Sequence, residues 1–397
     1  MQSTDAEIIT AQSYPPLSEI RQSLRIKWYR CPIDSARLRE LLKRSDIKGF
    51  LQAGGHFGLW LLTAAAVFLC FENGWWTVML LALLVHGSVA CFFNGTSVHE
   101  LGHGTVFQTS WLNKMFLYLF STISWWDPFD YASSHTFHHR YTLHPEADRE
   151  NLLPLSPLVG KTFLLQKLTF NLYSPPGRNF GKGGFVNTIL STFRGALGQT
   201  GDQRIPSNEW LHALHANLPK EHRKSIWWSR WLLAFHFTVA LLALFSGQWI
   251  WILIISCGSF FATICSYLVG MTQHCGLKEN DSDFRKSVRS IKINPVWEFL
   301  YWHMNWHTEH HMFAGVPCYH LRALHQEIKQ DMPEPRSLIQ AWREMIETWN
   351  KQKLDSGYYY DTPLPEPSLV GVEQVAIDAE LHSDIGELAP QELSEHQ

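Results

Sequence analysis

Long apolar runs alternate with polar segments along the chain, and these runs are the first feature that predicts structure. None of the four runs contains Lys, Arg, Asp or Glu, and each has roughly the ~20-residue length that a membrane-spanning helix needs. Core helices of soluble proteins are usually shorter and carry a polar face. The pattern therefore predicts four transmembrane helices, over residues 53–71, 75–93, 231–246 and 248–271.

The linkers between the runs are of two kinds. Residues 72–74 alone separate the first two runs and Gly247 alone separates the last two, so each pair is expected to form a tight hairpin. All 33 Lys and Arg residues lie in three other segments: nine in 1–48, thirteen in 94–230 and eleven in 272–353. Because basic residues mark the cytoplasmic side of a membrane protein, these three segments are expected to face the cytoplasm. We therefore predict an all-α integral membrane protein in which two helical hairpins lie beneath a cytoplasmic helical cap.

The predicted organisation has three parts. Residues 1–48 form a cytoplasmic segment with a basic amphipathic helix over 35–48, and residues 49–353 form the membrane domain. The tail, 354–397, has ten acidic and no basic residues, which predicts a disordered segment. The shorter predictions are an interfacial helix over 111–126, a loop over 174–206 and cytoplasmic helix over 320–350.

The composition narrows the class of protein. With 46% hydrophobic and 17% charged residues, the chain has too much apolar surface to be disordered throughout. A net charge of −3 provides no concentrated basic face for nucleic acid. The seven Cys residues include no CxxC pair, and four of them lie in apolar runs, which argues against a disulfide framework or a cysteine zinc site.

Histidine provides the candidate chemistry of the chain, which contains 21 histidines. Helical residues three and four apart lie on one face, so tightly spaced histidines present their rings together. If the second apolar helix continues as far as His103, it is longer than the ~30 Å thickness of the hydrocarbon core. His99 and His103 are then expected to emerge at the cytoplasmic side. The three groups are His99 and His103 in HELGH, His135, His138 and His139 in HTFHH, and His307, His310 and His311 in HTEHH.

These groups predict metal binding. Imidazole suits iron, zinc, copper or nickel, and eight rings exceed the ligands of one tetrahedral ion, which suggests two ions. A structural role explains a lone histidine but not three such groups at one membrane face. HELGH alone also matches the HExxH pattern of zinc proteases, with Glu100 as general base. That alternative leaves both HxxHH groups without a role.

The three groups resemble the histidine boxes of the membrane-bound fatty acid desaturase and hydroxylase superfamily. The resemblance extends over roughly residues 50–325, and the triple pattern is highly specific. It implies a non-haem di-iron oxygenase with two iron ions in a cytoplasmic site above a mushroom-shaped helical bundle. A ninth histidine commonly precedes the last box, and His274 is the matching residue. The implied metal ligands are His99, His103, His135, His138, His139, His274, His307, His310 and His311.

Other histidines are predicted to have supporting or structural roles. His303 precedes His307 by four residues and so shares the predicted helical face of the third box. For His303 and for His144, which follows the second box, a structural or supporting role is favoured over metal ligation. Three more histidines lie within or beside apolar runs, where a satisfied hydrogen bond is expected. They are His56, His86 and His236.

The implied reaction is the O2-dependent oxidation of an unactivated C–H bond, which requires a cofactor because no side chain is a sufficient oxidant. After the first hydrogen is removed, loss of a second hydrogen from the substrate gives a double bond, whereas oxygen rebound gives an alcohol. The histidine boxes alone do not distinguish a desaturase from a hydroxylase. The repeated HxxHH pattern favours a desaturase acting on an aliphatic chain of a fatty acyl or related lipid-like substrate. A metal transporter or sensor is a third possibility, disfavoured because the apolar runs lack charged residues.

Electrons for such a reaction must come from another protein. The sequence contains neither the His-Pro-Gly-Gly signature of a fused cytochrome b5 nor a CxxxxCxxC iron–sulfur spacing. A separate cytochrome b5 or ferredoxin is therefore the predicted donor, and the basic segments suit an acidic partner as well as anionic lipid. The predicted location is the endoplasmic reticulum membrane or a bacterial inner membrane, with a lipid or small amphiphilic substrate.

Overall fold

The computed structural model describes residues 14–151, 156–174, 183–199 and 208–365. Helices form nearly all of the regular structure in these ranges, as the predicted all-α class requires. A single pair of two-residue parallel strands is the only sheet in the described chain, β1 Ile291–Lys292 and β2 Arg336–Ser337. In chain order the helices are α1 Leu17–Ser23, α2 Ser35–Leu41, α3 Asp46–Glu72, α4 Trp76–Gly102, α5 Ser110–Ile123, α6 Pro128–Tyr141, α7 Lys161–Leu168, α8 Gly184–Ala196, α9 Asn208–Asn217, α10 Pro219–Phe245, α11 Ile264–Gly270, α12 Phe284–Ser287, α13 Pro295–Leu300, α14 His307–Met312, α15 Leu321–Ile328 and α16 Leu338–Gln352.

Three helices are long and apolar enough to cross a membrane: α3, α4 and α10, each of 27 residues. At 1.5 Å per residue such a helix is about 40 Å long, which exceeds the ~30 Å hydrocarbon core. Large apolar side chains on their outer faces are exposed, including Leu62, Leu81 and Phe245. An apolar outer surface of this kind is typical of contact with lipid. The described chain is thus a helical membrane protein with three candidate spans.

The fourth apolar run, 248–271, is not one continuous helix. Its backbone makes short helical turns between residues 252 and 260, extends at Phe261 and turns again at Ala262, where φ is 43°. The broken segment packs against α4, where Gly87 approaches the Phe261 backbone so closely that no side chain fits at that position. The expected single helix over this run is therefore wrong. The arrangement of four spans in two hairpins stays a prediction, as does the membrane side of the cap.

Helix α4 bends before it reaches the first histidine group. Asn94 has extended backbone angles, and Gly95 has a φ of 87°, a left-handed conformation that favours glycine. The turn around these residues is wider than an α-helical turn, and such irregular turns are frequent at functional sites. The helix therefore does not continue straight to His103, as the apolar pattern suggested. Its last turn is set off from the span by this bend.

The segment 174–206, expected to be a loop, contains helix α8. The polar residues of this helix face inward and its apolar residues face outward, as in helices that contact lipid. This is the reverse of a helix at the surface of a soluble protein, and for this reason the sequence pattern did not predict it. The inward residues are Asn187, Thr188, Ser191 and Thr192, and the outward ones are Val186, Leu190 and Phe193. The loop prediction is wrong for α8, while residues 175–182 and 200–207 lie outside the described residues.

The shorter predicted helices are present with altered limits. The interfacial helix corresponds to α5, while the basic helix predicted over 35–48 ends at Leu41, before α3 begins at Asp46. The predicted cytoplasmic helix over 320–350 is two helices, α15 and α16, separated by β2. Of the acidic tail, residues 366–397 lie outside the described residues.

Candidate metal centre

The first histidine group lies on the last turn of α4, beyond the bend. The rings of His99 and His103 have centroids 4.8 Å apart, and both side chains are buried. Glu100, between them in sequence, is buried completely. This group therefore belongs to the interior of the protein and not to the lipid-facing surface of the span.

The second group lies on α6, whose start is determined by its own sequence. The Asp127 carboxylate accepts hydrogen bonds from the backbone N–H groups of Phe129 and Asp130, at 2.9 and 3.1 Å. Pro128 occupies the first turn, where its missing N–H costs nothing. The helix then carries three buried ring side chains, His135, His138 and His139.

The third group lies on α14, which is only six residues long. The chain reaches α14 through a turn in which Trp302 and His303 have φ values of 53° and 57°. This left-handed turn interrupts the helical spacing, so the predicted shared face of His303 and His307 is wrong. Nδ1 of His303 instead lies 3.1 Å from Oε1 of Glu298.

The structure brings all nine predicted metal ligands together in two buried, adjoining clusters. Within each cluster the candidate nitrogen atoms lie within 4.8 Å of one another. The rings of His139 and His311, one from each cluster, stack with centroids 4.4 Å apart. The five-histidine cluster consists of His99, His103, His135, His139 and His310, and the four-histidine cluster consists of His138, His274, His307 and His311.

Ring nitrogens of both clusters converge, and at least one of them presents a lone pair and not an N–H group. The Nε2 atoms of His99 and His310 are 2.7 Å apart, and those of His274 and His307 are 3.2 Å apart. A neutral imidazole has one N–H, so a ring that donates through Nδ1 has only a lone pair at Nε2. Nδ1 of His274 donates to the Ser287 carbonyl oxygen at 3.0 Å. Converging nitrogen lone pairs of this kind fit a metal cation between them.

Glu100 is a second indication of a positive charge at this site. Neither carboxylate oxygen has a hydrogen-bond partner among the described residues. Oε1 nevertheless lies 3.4 Å from Nδ1 of His310 and 4.0 Å from Nε2 of His99. A buried carboxylate without compensation is strongly unfavourable, and a metal ion in the five-histidine cluster would compensate it. The residues present therefore fit a metal ion.

Burial also keeps most of the clustered imidazoles in the neutral form that binds metal. Desolvation lowers the pKa of His139, His310 and His311 well below the usual value, and neighbouring imidazoles lower it further. A neutral imidazole offers the free lone pair that a metal ion requires. These three imidazoles are thus ready to accept a cation at neutral pH without first losing a proton. His138 differs, because burial lowers its pKa but the Asp148 carboxylate raises the pKa by more.

Two carboxylates behind the second box were not predicted from the sequence. Oδ2 of Asp148 lies 2.8 Å from Nδ1 of His138, and Oε1 of Glu150 lies 3.3 Å from Nδ1 of His135. Such contacts orient the ring and leave Nε2 for the metal ion. The alternating acids of Asp148-Arg149-Glu150, soon after a histidine group, are the sequence signal that would have identified them.

A hydrogen-bond network that the sequence did not predict holds the third box in place. Oε1 of Glu309 accepts a hydrogen bond from Nδ1 of His325 at 2.5 Å, and Oε2 of Glu309 accepts one from the Ser290 hydroxyl at 2.5 Å. The hydroxyl oxygen of Ser290 accepts in turn from the Thr308 N–H at 3.0 Å. Because these partners are distant in sequence, no local spacing could indicate that they meet around α14.

The histidines of the apolar helices are hydrogen-bonded, as expected. His86, for example, contacts the Thr63 hydroxyl at 2.9 Å and the Ile254 carbonyl oxygen at 3.1 Å. His56 and His236 likewise have partners at both ring nitrogens. His144 contacts the carbonyl oxygen of Thr142 at 3.1 Å and belongs to neither cluster.

Comparison with known families agrees with this geometry. The family model described as fatty acid desaturase matches residues 73–342, which is more than half of the chain and includes all nine clustered histidines. No curated protein sequence matches the chain. The family implies an oxidoreductase, and buried histidine clusters suit its metal-dependent chemistry. The chain belongs to the fatty acid desaturase family.

Proposed function

We propose that the protein is an O2-dependent, membrane-bound di-iron desaturase that introduces a double bond into the aliphatic chain of a fatty acyl or related lipid-like substrate. The pair of adjoining histidine clusters carries this proposal, since five and four imidazoles suit two metal ions. A structural or catalytic zinc site uses about four ligands, so a zinc protease built on HELGH leaves most of these rings without a role. A hydroxylase of the same superfamily would use the same residues and is the alternative.

Two iron ions held by the nine histidines would supply the oxidant for an unactivated C–H bond, using O2 as co-substrate. The protein holds and orients the ligands. Asp148 and Glu150 set the orientation of His138 and His135 through their Nδ1 atoms. Burial of all nine side chains excludes bulk water from the site, which suppresses side reactions of a strong oxidant.

The position of the first box supports a lipid-like substrate. His99 lies within α4, a candidate span, and His103 directly follows it. The three candidate spans have apolar outer faces, so an acyl chain in the bilayer is the nearest source of substrate. We place the site on the cytoplasmic side, in the endoplasmic reticulum or a bacterial inner membrane, because of the distribution of basic residues.

Expression in a desaturase-deficient host, followed by mass spectrometry of lipids and small amphiphiles, tests the proposed reaction. We expect a product that lacks two hydrogen atoms relative to its precursor and that forms only with O2. A product with one added oxygen atom would identify a hydroxylase instead. The matched control is His310→Ala, which should insert into the membrane and form neither product.

Metal analysis of the purified protein tests the proposed cofactor. We expect two iron ions per chain. A single zinc ion, together with a peptidase activity that Glu100→Gln eliminates, would overturn the proposal in favour of a zinc protease. The same preparation therefore distinguishes the two classes of enzyme before any substrate is identified.

A further inference from the structure

Desaturation requires electrons from outside the chain, and the inference here rests on that proposed function. In the reaction R–CH2–CH2–R′ + O2 + 2 e⁻ + 2 H⁺ → R–CH=CH–R′ + 2 H2O, the substrate supplies two of the four electrons that reduce O2. A reduced one-electron carrier supplies the other two in two encounters and is itself oxidised. Since all nine clustered histidines are buried, each electron must cross a layer of protein.

A short series of aromatic rings leads from the surface to the four-histidine cluster. The half-buried indole of Trp28 stacks on Phe284, with centroids 4.0 Å apart and an interplanar angle of 8°. Phe284 is buried, and its ring centroid lies 5.6 Å from that of His311. A single phenyl ring thus separates Trp28 from a candidate metal ligand.

Basic side chains surround this point of the surface. Arg25 and Lys27 are exposed, and the Trp28 indole N–H donates to the backbone carbonyl oxygen of Arg140 at 3.0 Å. The Arg140 guanidinium lies 5.5 Å from the centroid of the Tyr141 ring. Burial raises the pKa of Tyr141, and the charges of Arg140, Arg21 and Arg25 oppose that rise. Arg25, Lys27 and Arg140 form no ion pair with a described acidic residue.

Two of the nearby acidic residues already have partners, whereas Glu279, beside the His144 ring that contacts Trp28, forms no ion pair with a described residue. The adjacent backbone is close, since the Tyr29 N–H donates to the Ser282 carbonyl oxygen at 2.8 Å. On either side of Ser282, Asp281 pairs with Lys278 at 2.9 Å and Asp283 with Arg285 at 2.8 Å. Three unpaired basic side chains against the unpaired carboxylate of Glu279 leave a net positive charge around Trp28.

We propose that the surface formed by Arg25, Lys27, Trp28 and Arg140, the Trp28 surface, docks an acidic one-electron carrier protein that delivers electrons through Trp28 and Phe284 toward His311. Charge complementarity speeds such encounters and weakens with salt. Redox partners bind through small, transient interfaces, so a docking surface centred on a few residues is sufficient. Anionic lipid would also be attracted by the basic residues, but it would make no use of the ring stack.

Binding measurements on the iron-loaded protein in nanodiscs test the docking surface without relying on turnover. The probes are the soluble haem domain of cytochrome b5 and a plant-type ferredoxin. The variant Arg25→Glu/Lys27→Glu/Arg140→Glu should bind at least one of them about tenfold more weakly at low salt, with a flatter salt dependence. The matched control, Lys329→Glu/Arg343→Glu/Lys353→Glu, has the same charge change on exposed residues within α16 or directly after α15 and α16, and it should bind normally.

The aromatic path has its own test. Trp28→Leu should leave carrier affinity and iron content unchanged but slow carrier-driven turnover several-fold, because the smaller side chain leaves a gap over Phe284. Trp28→Phe keeps a ring and should recover most of the rate. The iron can instead be reduced without O2 by dithionite and a small mediator, freed of excess reductant and then exposed to O2. This single turnover does not use the Trp28 surface, so its product yield should be equal in the native protein and both Trp28 variants.

The outcomes separate the docking surface from the proposed function. Normal carrier binding by the triple variant, or failure of both carriers to bind the native protein, would overturn the docking proposal. Altered binding to vesicles of anionic lipid, with carrier binding intact, would identify the Trp28 surface as a lipid contact and also overturn it. Absence of any oxidised product when O2 is added to the chemically reduced protein, after excess dithionite has been removed, would instead count against the desaturase itself.

Discussion

The five-histidine and four-histidine clusters differ in what holds their rings. In the four-histidine cluster most rings have a protein partner at Nδ1, whereas in the five-histidine cluster only His135 does. Nδ1 of His139 and of His310 is buried without a hydrogen-bond partner among the described residues. The Nδ1 partners are Asp148 for His138, the Ser287 carbonyl oxygen for His274, the Thr142 hydroxyl for His311 and Glu150 for His135.

This difference shows two ways of building a ligand set. Rings oriented by hydrogen bonds keep their direction without a metal ion, because the second nitrogen is already engaged. Apart from His135, the rings of the five-histidine cluster lack that support. Beside them Glu100 adds a buried carboxyl group without a hydrogen-bond partner among the described residues. We therefore expect the four-histidine cluster to be preformed and the five-histidine cluster to depend on bound metal for its order.

The largest expected effect comes from removing one ligand from each cluster. His310→Ala and His311→Ala should each lower turnover by about 10³-fold or more, because ligands of one centre act as a unit. Product formation and iron per chain are the measurements. Each variant should retain roughly one iron ion, from the untouched cluster. Near-normal turnover in both variants would contradict the metal assignment, provided that circular dichroism shows both to be folded.

The next effect separates His274 from His303. His274→Ala removes a member of the four-histidine cluster and should lower iron content and reduce turnover by about 10²-fold. His303→Ala should keep most of both, since His303 contacts Glu298 and no cluster. If the His303 variant loses iron while the His274 variant does not, the ninth ligand is misassigned.

The carboxylates behind the rings should have smaller and unequal effects. Asp148→Asn should weaken metal affinity by about 10–100-fold, the range typical of such supporting residues. Glu150→Gln should weaken it less, since its contact is longer, 3.3 against 2.8 Å, and its side chain is 15% exposed against 0% for Asp148. Competition with a chelator measures both. Equal losses would show that the two clusters are supported alike.

The smallest expected effect tests whether the five-histidine cluster depends on the metal ion. Glu100→Gln replaces a carboxyl group that is buried without a partner by a neutral amide, so the metal-free protein should become more stable by about 1–3 kcal/mol, while the loaded protein binds metal less tightly. Unfolding curves with and without chelator measure both signs. Destabilisation of the metal-free variant would mean that Glu100 has a partner in solution and that the cluster is preformed.

The candidate site was more predictable from the sequence than the fold around it. The boxes are local patterns, and the spacing of His135, His138 and His139 on one helix survives in any fold that keeps α6. The apolar run 248–271 was less informative, since composition sets its burial but not its backbone path. Gly87 and Phe261, distant in sequence, decide that path through a close contact.

By itself, the sequence determined that this is a helical membrane protein with three groups of histidines, because hydrophobic length and short-range spacing are properties of consecutive residues. The tertiary structure alone decided how nine histidines divide into five and four, and which rings receive support from Asp148, Ser287 and Thr142. It also decided that His303 turns away, through left-handed backbone at two residues. The physical reason is that ring orientation and charge compensation depend on contacts between segments far apart in the chain, which no local pattern records.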